Sequence, residues 1–210
     1  MIKVLIADDH AVVRRGLRQI LTETSDVLVG GEAATAAEVR QLVAGHRWDV
    51  VVLDVNMPGG NGIELLADLR RQHPGLRVLV LTMYPEDQYA VRAIRAGAAG
   101  FLTKESAPEK LLEAVRKIAA GGRYVSAELA ETLASLVAGE SEGAPHQRLS
   151  DREFEVFKML ARGRTVSQVA QELGLSVKTV STHRVRILKK MGMGTNAELT
   201  HYAVKNGIVE

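Results

Sequence analysis

The sequence predicts an α/β domain built on a doubly wound, five-stranded parallel sheet, followed by an all-α domain of four helices. Short apolar runs alternate with amphipathic stretches in the first part of the chain, and helix-start and helix-stop residues alternate in the last part. The length of 210 residues suits two compact domains. We expect these domains at residues 1–122 and 148–210, joined by a partly helical linker at residues 123–147.

Five short apolar runs predict the strands of the first domain. They are Val4–Ala7, Val27–Gly30, Val50–Leu53, Val78–Leu81 and Gly100–Leu102. Continuous apolar runs of this length are typical of parallel strands that helices cover on both faces. In such folds the functional residues lie at the carboxyl ends of the strands, so the residues that follow each run are the candidates.

Polar side chains follow four of the five runs. Asp8 and Asp9 follow the first, Asp54 the third, Thr82 the fourth and Lys104 the fifth. This set suits a phosphoryl acceptor, in which the carboxylate of Asp54 attacks phosphorus and the added negative charge is neutralised. Three crowded carboxylates imply a divalent cation such as Mg²⁺. Lys104 would pair with one phosphoryl oxygen, and the Thr82 hydroxyl would hydrogen-bond another.

Two other interpretations compete with this one. A single Asp at a strand end is usually a loop or cap residue, but the combination of residue types at four strand ends favours a site. Phosphatases with a carboxylate nucleophile need the pattern Asp-x-Asp, whereas Asp54 is followed by Val55 and Asn56. We therefore expect no enzyme activity beyond the protein's own phosphorylation and dephosphorylation. His10 receives no role, because a lone His near such an edge is more often a surface or packing residue.

Composition and charge limit the chemistry, location and partners that the protein can have. The sequence has no Cys, which excludes disulfides and thiolate chemistry. The apolar run in Met1–Ala7 is far too short for a signal-peptide core or a membrane span, so we expect a cytoplasmic protein with no membrane partner. The net charge of +2 is uneven, being 0 over residues 1–122, −3 over residues 123–147 and +5 over residues 148–210. A basic second domain suggests a polyanion partner.

The linker has two predicted parts. Leu129, Leu133, Leu136 and Val137 have helical spacing and predict an amphipathic helix at Ser126–Ala138. The following stretch, residues 139–147, contains two Gly, one Pro and two acidic residues, which predicts a hinge.

Helix-start and helix-stop signals delimit four helices in the second domain. Three capping boxes and one further N-cap mark the starts: Ser150-x-x-Glu153, Thr165-x-x-Gln168, Thr195-x-x-Glu198 and Ser176. Four glycines mark the ends: Gly163, Gly174, Gly192 and Gly207. The second and third helices, about Val166–Leu173 and Val177–Met191, are joined by a short glycine-containing turn, which indicates a helix-turn-helix.

The third of these helices indicates what the domain contacts. Across Val177–Met191 there are five Lys/Arg residues and no acidic residue. An apolar face is expected to pack in the core: Val177, Val180, Ile187, Leu188 and Met191. The opposite face carries Lys178, Ser181, Thr182, Val185 and Lys189. Such a face suits the major groove of DNA, whereas a merely solvated face would not explain an exposed Val185.

The first domain resembles the receiver domains of two-component response regulators. The resemblance covers residues 1–122 and rests on four motifs: Asp8-Asp9-His10, Asp54-Val55-Asn56-Met57-Pro58-Gly59, Thr82 and Gly100-Phe101-Leu102-Thr103-Lys104. It implies a flavodoxin-like fold and a histidine kinase that phosphorylates Asp54. It also implies Mg²⁺ contacts from Asp9, Asp54 and the Asn56 backbone carbonyl, help from Asp8 through water, and Phe101 as the switch aromatic.

Two positions of this domain bear on how it would work. Glu105 stands where many receivers have a Pro in a cis peptide, so the geometry of the Lys104–Glu105 bond stays open. Met83 lies beside Thr82, and we hypothesise that this bulky neighbour hinders attacking water and lengthens the lifetime of the phosphoryl group.

The second domain resembles the LuxR-type helix-turn-helix of the NarL/FixJ family. The resemblance covers residues 148–210 and rests on Leu149-Ser150-Asp151-Arg152-Glu153 and Lys178-Thr179-Val180-Ser181-Thr182-His183. It implies base-facing Ser181, Thr182 and Val185, and phosphate contacts from Lys178, Thr179 and Lys189. Asn196 departs from the family's frequent Arg. The implied activity is binding of repeated DNA half-sites as a homodimer when phosphorylated, with RNA polymerase as a further partner; the alternative is a signalling adaptor whose helices bind protein.

Overall fold

The computed structural model describes most of the chain, namely residues 1–57, 61–83, 86–138 and 144–209. Its contacts divide the chain into two compact units, Met1–Ala134 and Ser135–Glu210. The domain boundaries at residues 122 and 148 stay a prediction. Residues 139–143 of the predicted hinge lie outside the described residues, as do Pro58 and Gly59 of the motif that follows Asp54.

The Met1–Ala134 unit is built on a five-stranded parallel sheet, which confirms the predicted fold class. Its strands are β1 (Ile2–Ala7), β2 (Val27–Ala33), β3 (Val50–Asp54), β4 (Arg77–Thr82) and β5 (Gly100–Thr103), in the order β2-β1-β3-β4-β5. Each predicted strand lies within an observed one. The helices between and after them are α1 (Ala11–Thr22), α2 (Ala36–Gly45), α3 (Gly62–Gln72), α4 (Glu86–Arg95) and α5 (Ala107–Ala119).

The burial of the strands follows their place in the sheet. The central strand β3 is buried along its whole length, because helices cover both of its faces; α1 and α5 pack against one of them. The edge strand β2 instead alternates between buried and exposed residues over its first four positions. This difference explains why the run Val50–Leu53 is continuously apolar.

Gly62 allows α3 to begin directly against the loop that follows Asp54. Its backbone N–H donates to the carbonyl oxygen of Val55 at 3.2 Å. A Cβ atom at this position would lie 2.3 Å from the Val55 Cα, so the backbone approach requires glycine. The side chain of Asn61 caps the same helix by accepting from the Ile63 N–H at 2.9 Å. Together these contacts hold the start of α3 next to Val55, which directly follows β3.

The predicted linker helix is present as α6 (Ala127–Ala138), and the four predicted C-terminal helices follow a short 3-10 helix at Pro145–Arg148. These four are α7 (Asp151–Ala161), α8 (Val166–Glu172), α9 (Val177–Met191) and α10 (Asn196–Lys205). Within the described residues, no helix has both the length and the apolar character that crossing a membrane would require.

Side-chain caps begin the C-terminal helices where the sequence predicts them. The capping boxes of Ser150 and Thr165 are complete, with each hydroxyl and its N3 side chain bonding reciprocally. At the third box, Thr195 accepts from the Glu198 N–H at 3.2 Å, but the Glu198 carboxylate accepts from the N–H of Gly194, outside the box. Local signals therefore determine where these helices start.

Val177 is the one predicted core residue of α9 that the structure places at the surface, with 51% of its area exposed. Val180, Ile187 and Met191 are buried as expected. Val177 is the first residue of α9, and the buried residues of this face begin about one turn later, at Val180. Periodicity gave the correct face of α9 but not the point along it where packing begins. At the other end, Gly192 closes α9 in the left-handed conformation, with φ of 67°.

Candidate phosphoacceptor and nucleic-acid sites

The carboxyl ends of the parallel strands bring the predicted acceptor residues together. Asp54 is the last residue of β3, and Thr82 is the last residue of β4. Both side chains are buried, with 1% and 0% of the residue area exposed. The backbone N–H of Lys104, directly after β5, donates to the Thr82 carbonyl oxygen at 2.8 Å. The peptide bond from Lys104 to Glu105 is trans.

Lys104 bridges two buried carboxylates. Its Nζ lies 2.7 Å from Asp54 Oδ2 and 2.6 Å from Asp8 Oδ2. Burial raises the pKa of the Asp54 carboxyl, and the hydrogen bonds from Lys104 and the Asn56 N–H offset this only in part. Burial disfavours the ammonium of Lys104, but its bonds to Asp54 and Asp8 outweigh that penalty and raise its pKa. Lys104 is therefore held as a cation facing the acceptor.

The acidic residues at this edge form a group that suits a hard cation. Ligand atoms of Asp8, Asp9, His10 and Asp54 all lie within 4.8 Å of one another. Three of these residues are carboxylates, and Lys104 is paired with two of them, Asp8 and Asp54. Carboxylate oxygens are ligands that Mg²⁺ prefers. His10, to which the sequence analysis assigned no role, joins the group through its Nδ1, which lies 2.7 Å from Asp9 Oδ1. The donor set thus fits the predicted magnesium site.

Asn56 connects the acceptor to Thr82. Its backbone N–H donates to Asp54 Oδ1 at 2.9 Å, and its side-chain amide donates to Thr82 Oγ1 at 3.3 Å. Met83, next to Thr82, is 72% exposed. Met83 therefore lies at the surface immediately beside a fully buried hydroxyl.

Arg14 supports the acidic loop, a role that no short-range sequence signal indicates. It lies on α1, and its guanidinium donates to the backbone carbonyl of Asp8 at 2.7 Å and to Glu32 Oε2 at 3.2 Å. Arg18 donates to the other Glu32 oxygen at 2.6 Å. These hydrogen bonds lower the pKa of Glu32 against the effect of its burial. The pairing joins α1 to the second strand of the sheet, so only the folded structure reveals it.

Phe101 is connected by hydrogen bonds to the segment that leads into α6. Its ring is buried, and its backbone N–H donates to the Tyr124 carbonyl oxygen at 3.0 Å. Two residues later, the hydroxyl of Ser126 donates to Glu86 of α4 at 2.8 Å and accepts from the first turn of α6 at 3.0 Å. The start of the linker helix is thus attached to the predicted switch residue and to α4.

The exposed face of α9 presents the predicted base-contacting side chains. Five of the six predicted DNA contacts are exposed: Lys178, Ser181, Thr182, Val185 and Lys189. Val185 is 61% exposed. The sixth, Thr179, is half-buried, and its hydroxyl lies 2.7 Å from that of the N-cap Ser176. The Thr182 hydroxyl donates to the Lys178 carbonyl at 3.0 Å and keeps its lone pairs for accepting.

Two side-chain pairs fix α9 within its unit. Lys190 Nζ lies 2.6 Å from Glu153 Oε2, whose carboxylate is buried at the start of α7. Burial by itself would raise the pKa of Glu153, but the bonds from Lys190 and Ser150 outweigh it and lower that pKa. Asn196 accepts from Arg184 Nε at 2.7 Å. The residue that departs from the family pattern therefore holds an arginine of α9.

Comparisons with known proteins agree with this geometry. Residues 4–116 match the family model "Response regulator receiver domain", and residues 147–203 match "Bacterial regulatory proteins, luxR family". The chain is 34% identical to response regulator UvrY of Escherichia coli K12 over 209 residues, covering 99% of this chain and 96% of UvrY. It is 37% identical to response regulator GacA of Pseudomonas aeruginosa over 211 residues, covering 100% and 99%.

A solved structure extends the likeness to both units. RcsB from Salmonella enterica serovar Typhimurium, bound to promoter P1flhDC in the presence of phosphomimetic BeF₃⁻, matches with a TM-score of 0.73 and 29% identity. The match covers 96% of this chain and 97% of RcsB. The two family models match in order along this chain, and the relatives are alike over nearly their whole length. This protein therefore belongs to the NarL/FixJ family of response regulators.

Proposed function

We propose that this protein is a phosphorylation-controlled transcriptional regulator that accepts a phosphoryl group on Asp54 and binds promoter DNA through α9. The observation that carries the proposal is the ion-pair geometry of Lys104, which lies 2.7 Å from Asp54 and 2.6 Å from Asp8 at the carboxyl edge of the sheet. The arrangement supports the proposal, because a fixed cation beside Asp54 would offset the negative charge that develops during phosphoryl transfer.

The chemistry at Asp54 is a transfer between two side chains. A carboxylate oxygen of Asp54 bonds to the phosphorus of a phosphohistidine on the kinase, and the phosphorus–nitrogen bond breaks so that the histidine leaves. Lys104 then pairs with a phosphoryl oxygen, and the Thr82 hydroxyl donates to another. Mg²⁺, held by Asp8, Asp9, Asp54 and the Asn56 carbonyl, would offset the charge of the transferred group.

The exposed face of α9 supports DNA as the ligand. It combines basic residues, which suit phosphates, with Thr182 and Val185, which suit base edges in the major groove. Structures of RcsB bound to promoter DNA, and of two RcsB dimers bound to two parallel DNAs, support the same use of the homologous unit. We infer binding as a homodimer when Asp54 is phosphorylated, contact with RNA polymerase at promoters, and a location in the cytoplasm with the chromosome.

Coupling between the two activities would run through Phe101. The buried ring lies on the strand next to Thr82, and its backbone is bonded to Tyr124, two residues before the cap of α6. A shift of Thr82 toward a phosphoryl group would change the packing around Phe101 and hence the segment that leads into the linker helix. Phosphorylation then selects among conformations that already exist.

The acceptor assignment is tested by intact-mass measurement. With acetyl phosphate and Mg²⁺, we expect the full chain to gain one phosphoryl group that hydroxylamine removes. Asp54→Ala should gain none, Asp68→Ala on α3 should be labelled like the parent, and chelation of Mg²⁺ should suppress labelling. Equal labelling of Asp54→Ala would show that another residue is the acceptor.

A further inference from the structure

A cavity lies at the end of the sheet opposite to Asp54. It has a volume of about 230 Å³ and is lined by three arginines, Arg70, Arg77 and Arg123, and by two short glycine-containing segments, residues 97–99 and 121–122. Arg77 is the first residue of β4, and residues 97–99 immediately precede β5, so the cavity is at the amino-terminal ends of these strands. None of the described residues that line it is acidic.

The three guanidinium groups have no carboxylate partner among the described residues. Arg70 donates to the backbone carbonyls of Pro74 and Leu76, and Arg123 donates to the Ala98 carbonyl at 3.4 Å. The side chain of Arg77 makes no hydrogen bond or ion pair with the described residues. Three positive charges thus lie around one small cavity, and no carboxylate of the described residues is paired with them.

Helix dipoles offset only part of the positive charge of the three arginines. α3, α4 and α5 all end beside the cavity, and each carboxyl end carries a partial charge of about −0.5. Three full positive charges exceed these partial charges about twofold. Two glycines with positive φ lie beside the arginines: Gly97 and Gly121 have φ of 102° and 94°, and the Arg77 guanidinium lies 3.6 Å from where a Cβ of Gly121 would be, an ordinary van der Waals distance.

We propose that this cavity binds a small anion of the phosphate class, either free diphosphate or the diphosphate end of a nucleotide. The planar forks of several arginines suit the tetrahedral, multiply charged phosphate group better than a single carboxylate. The volume is below the range of about 300–1,000 Å³ typical of sites that enclose drug-sized ligands, which favours the anionic group over a whole nucleotide. The site is separate from Asp54 and from α9, so it does not depend on the function proposed above.

The test is a titration of the full chain with inorganic diphosphate, followed by amide NMR in the absence of Mg²⁺. The amides of Gly97, Gly121 and Gly122 lie at the cavity and should shift saturably, with a Kd of about 1 mM or below. The double variant Arg77→Gln, Arg123→Gln should bind at least about tenfold more weakly. A control with the same loss of charge at exposed positions away from the cavity, Arg15→Gln with Arg162→Gln, should bind like the parent.

Other arms decide between the outcomes. ADP should shift the same glycine amides. Similar affinity for ADP and diphosphate would show that the diphosphate group of the nucleotide accounts for the affinity. The single variant Arg123→Gln, at an exposed position, should still weaken binding several-fold if the double variant does not fold. Equal shifts with sodium chloride at matched ionic strength, no saturable shift with diphosphate, or unchanged affinity in folded arginine variants would each overturn the proposal.

Discussion

The acceptor site and the face of α9 hold their charges in opposite environments. At the acceptor site, Asp8 and Asp54 are each 1% exposed, and the side chain of Lys104 is 8% exposed. These residues lie at the carboxyl ends of three different strands, whereas the exposed residues of α9 share a single helix. Water cannot replace a lost partner in the buried site, but it can on the helix surface. Single substitutions should therefore be costly at the acceptor site and modest on α9.

The largest effect is expected from Lys104→Met, which leaves the buried carboxylates of Asp8 and Asp54 without their shared cation. In the presence of a chelator, the free energy of unfolding of this unit should fall by about 3–5 kcal/mol. Mg²⁺ should restore more stability to the variant than it adds to the parent. Trp48, the one Trp of the sequence, reports urea unfolding of this unit by fluorescence. Lys110→Met, at an exposed lysine of α5, serves as the control, and equal stability of the two variants would contradict the comparison.

Thr182→Ala and Val185→Ala should change which DNA sequences are preferred. Each lost base contact should reduce discrimination at one position of the site by about 1–3 kcal/mol. Selection from a random DNA library at fixed salt measures the ranking. Val204→Ala, at an exposed valine of α10, should leave the ranking unchanged. An identical ranking for all three variants would mean that this face of α9 does not read bases.

Glu153→Gln tests the buried charge at the start of α7 that pairs with Lys190 of α9. The pKa of Glu153 is lowered from its ordinary value of 4.5, so its ionised form stabilises the fold fully above that pH. This contribution is lost as the pH falls through the lower folded-state pKa. Gln preserves the cap, as Gln168 does at α8, so only the charge contribution of about 1–2 kcal/mol should disappear at pH 7.

Hydrogen exchange of the α7 and α9 amides measures this difference. The gap between parent and Glu153→Gln should be constant from pH 6 to 8 and shrink below pH 4.5. Glu155→Gln, which removes the partner of Arg152 on the same helix, is the control. A gap that widens in acid would contradict the assigned direction of the pKa shift.

The smallest effects are expected for Lys178→Ala and Lys189→Ala. Both lysines are exposed and would contact phosphates, so each change should weaken binding to all sequences alike. Each should reduce the slope of log affinity against log salt by about 1. Lys205→Ala on α10 should leave the slope unchanged, and a sequence-dependent loss at Lys178 or Lys189 would instead assign that lysine to base contact.

Much of the fold was predictable because its signals are local. Ser150 and Thr165 begin helices with their own side chains, and Gly192 ends one, so a few neighbouring residues determine each boundary. The acceptor cluster was predictable for a different reason. Residues that follow parallel strands meet at one edge of the sheet, so the positions of Asp54 and Lys104 along the chain imply their proximity.

Contacts between distant segments were not predictable from local signals. Arg14 meets Glu32, and Ser126 meets Glu86, only because packing brings their elements together. Nothing near Tyr124 in the sequence indicates that its carbonyl accepts from Phe101. Helical spacing likewise did not indicate that Val177, the first residue of α9, is exposed. Sequence patterns thus brought out the residues of the candidate sites more completely than the residues that support or connect them.

Control of DNA binding by Asp54 is tested most directly by measuring DNA affinity and sedimentation of the full chain, with and without acetyl phosphate and Mg²⁺, at fixed salt. Residues 148–210 alone should bind weakly and ignore the phosphoryl donor. For the full chain, phosphorylation should raise DNA affinity by about 5- to 150-fold, shift the protein toward dimers, or both, and Asp54→Ala should abolish the response. If phosphorylation of Asp54 changes neither DNA affinity nor association state, then the first unit does not control the second.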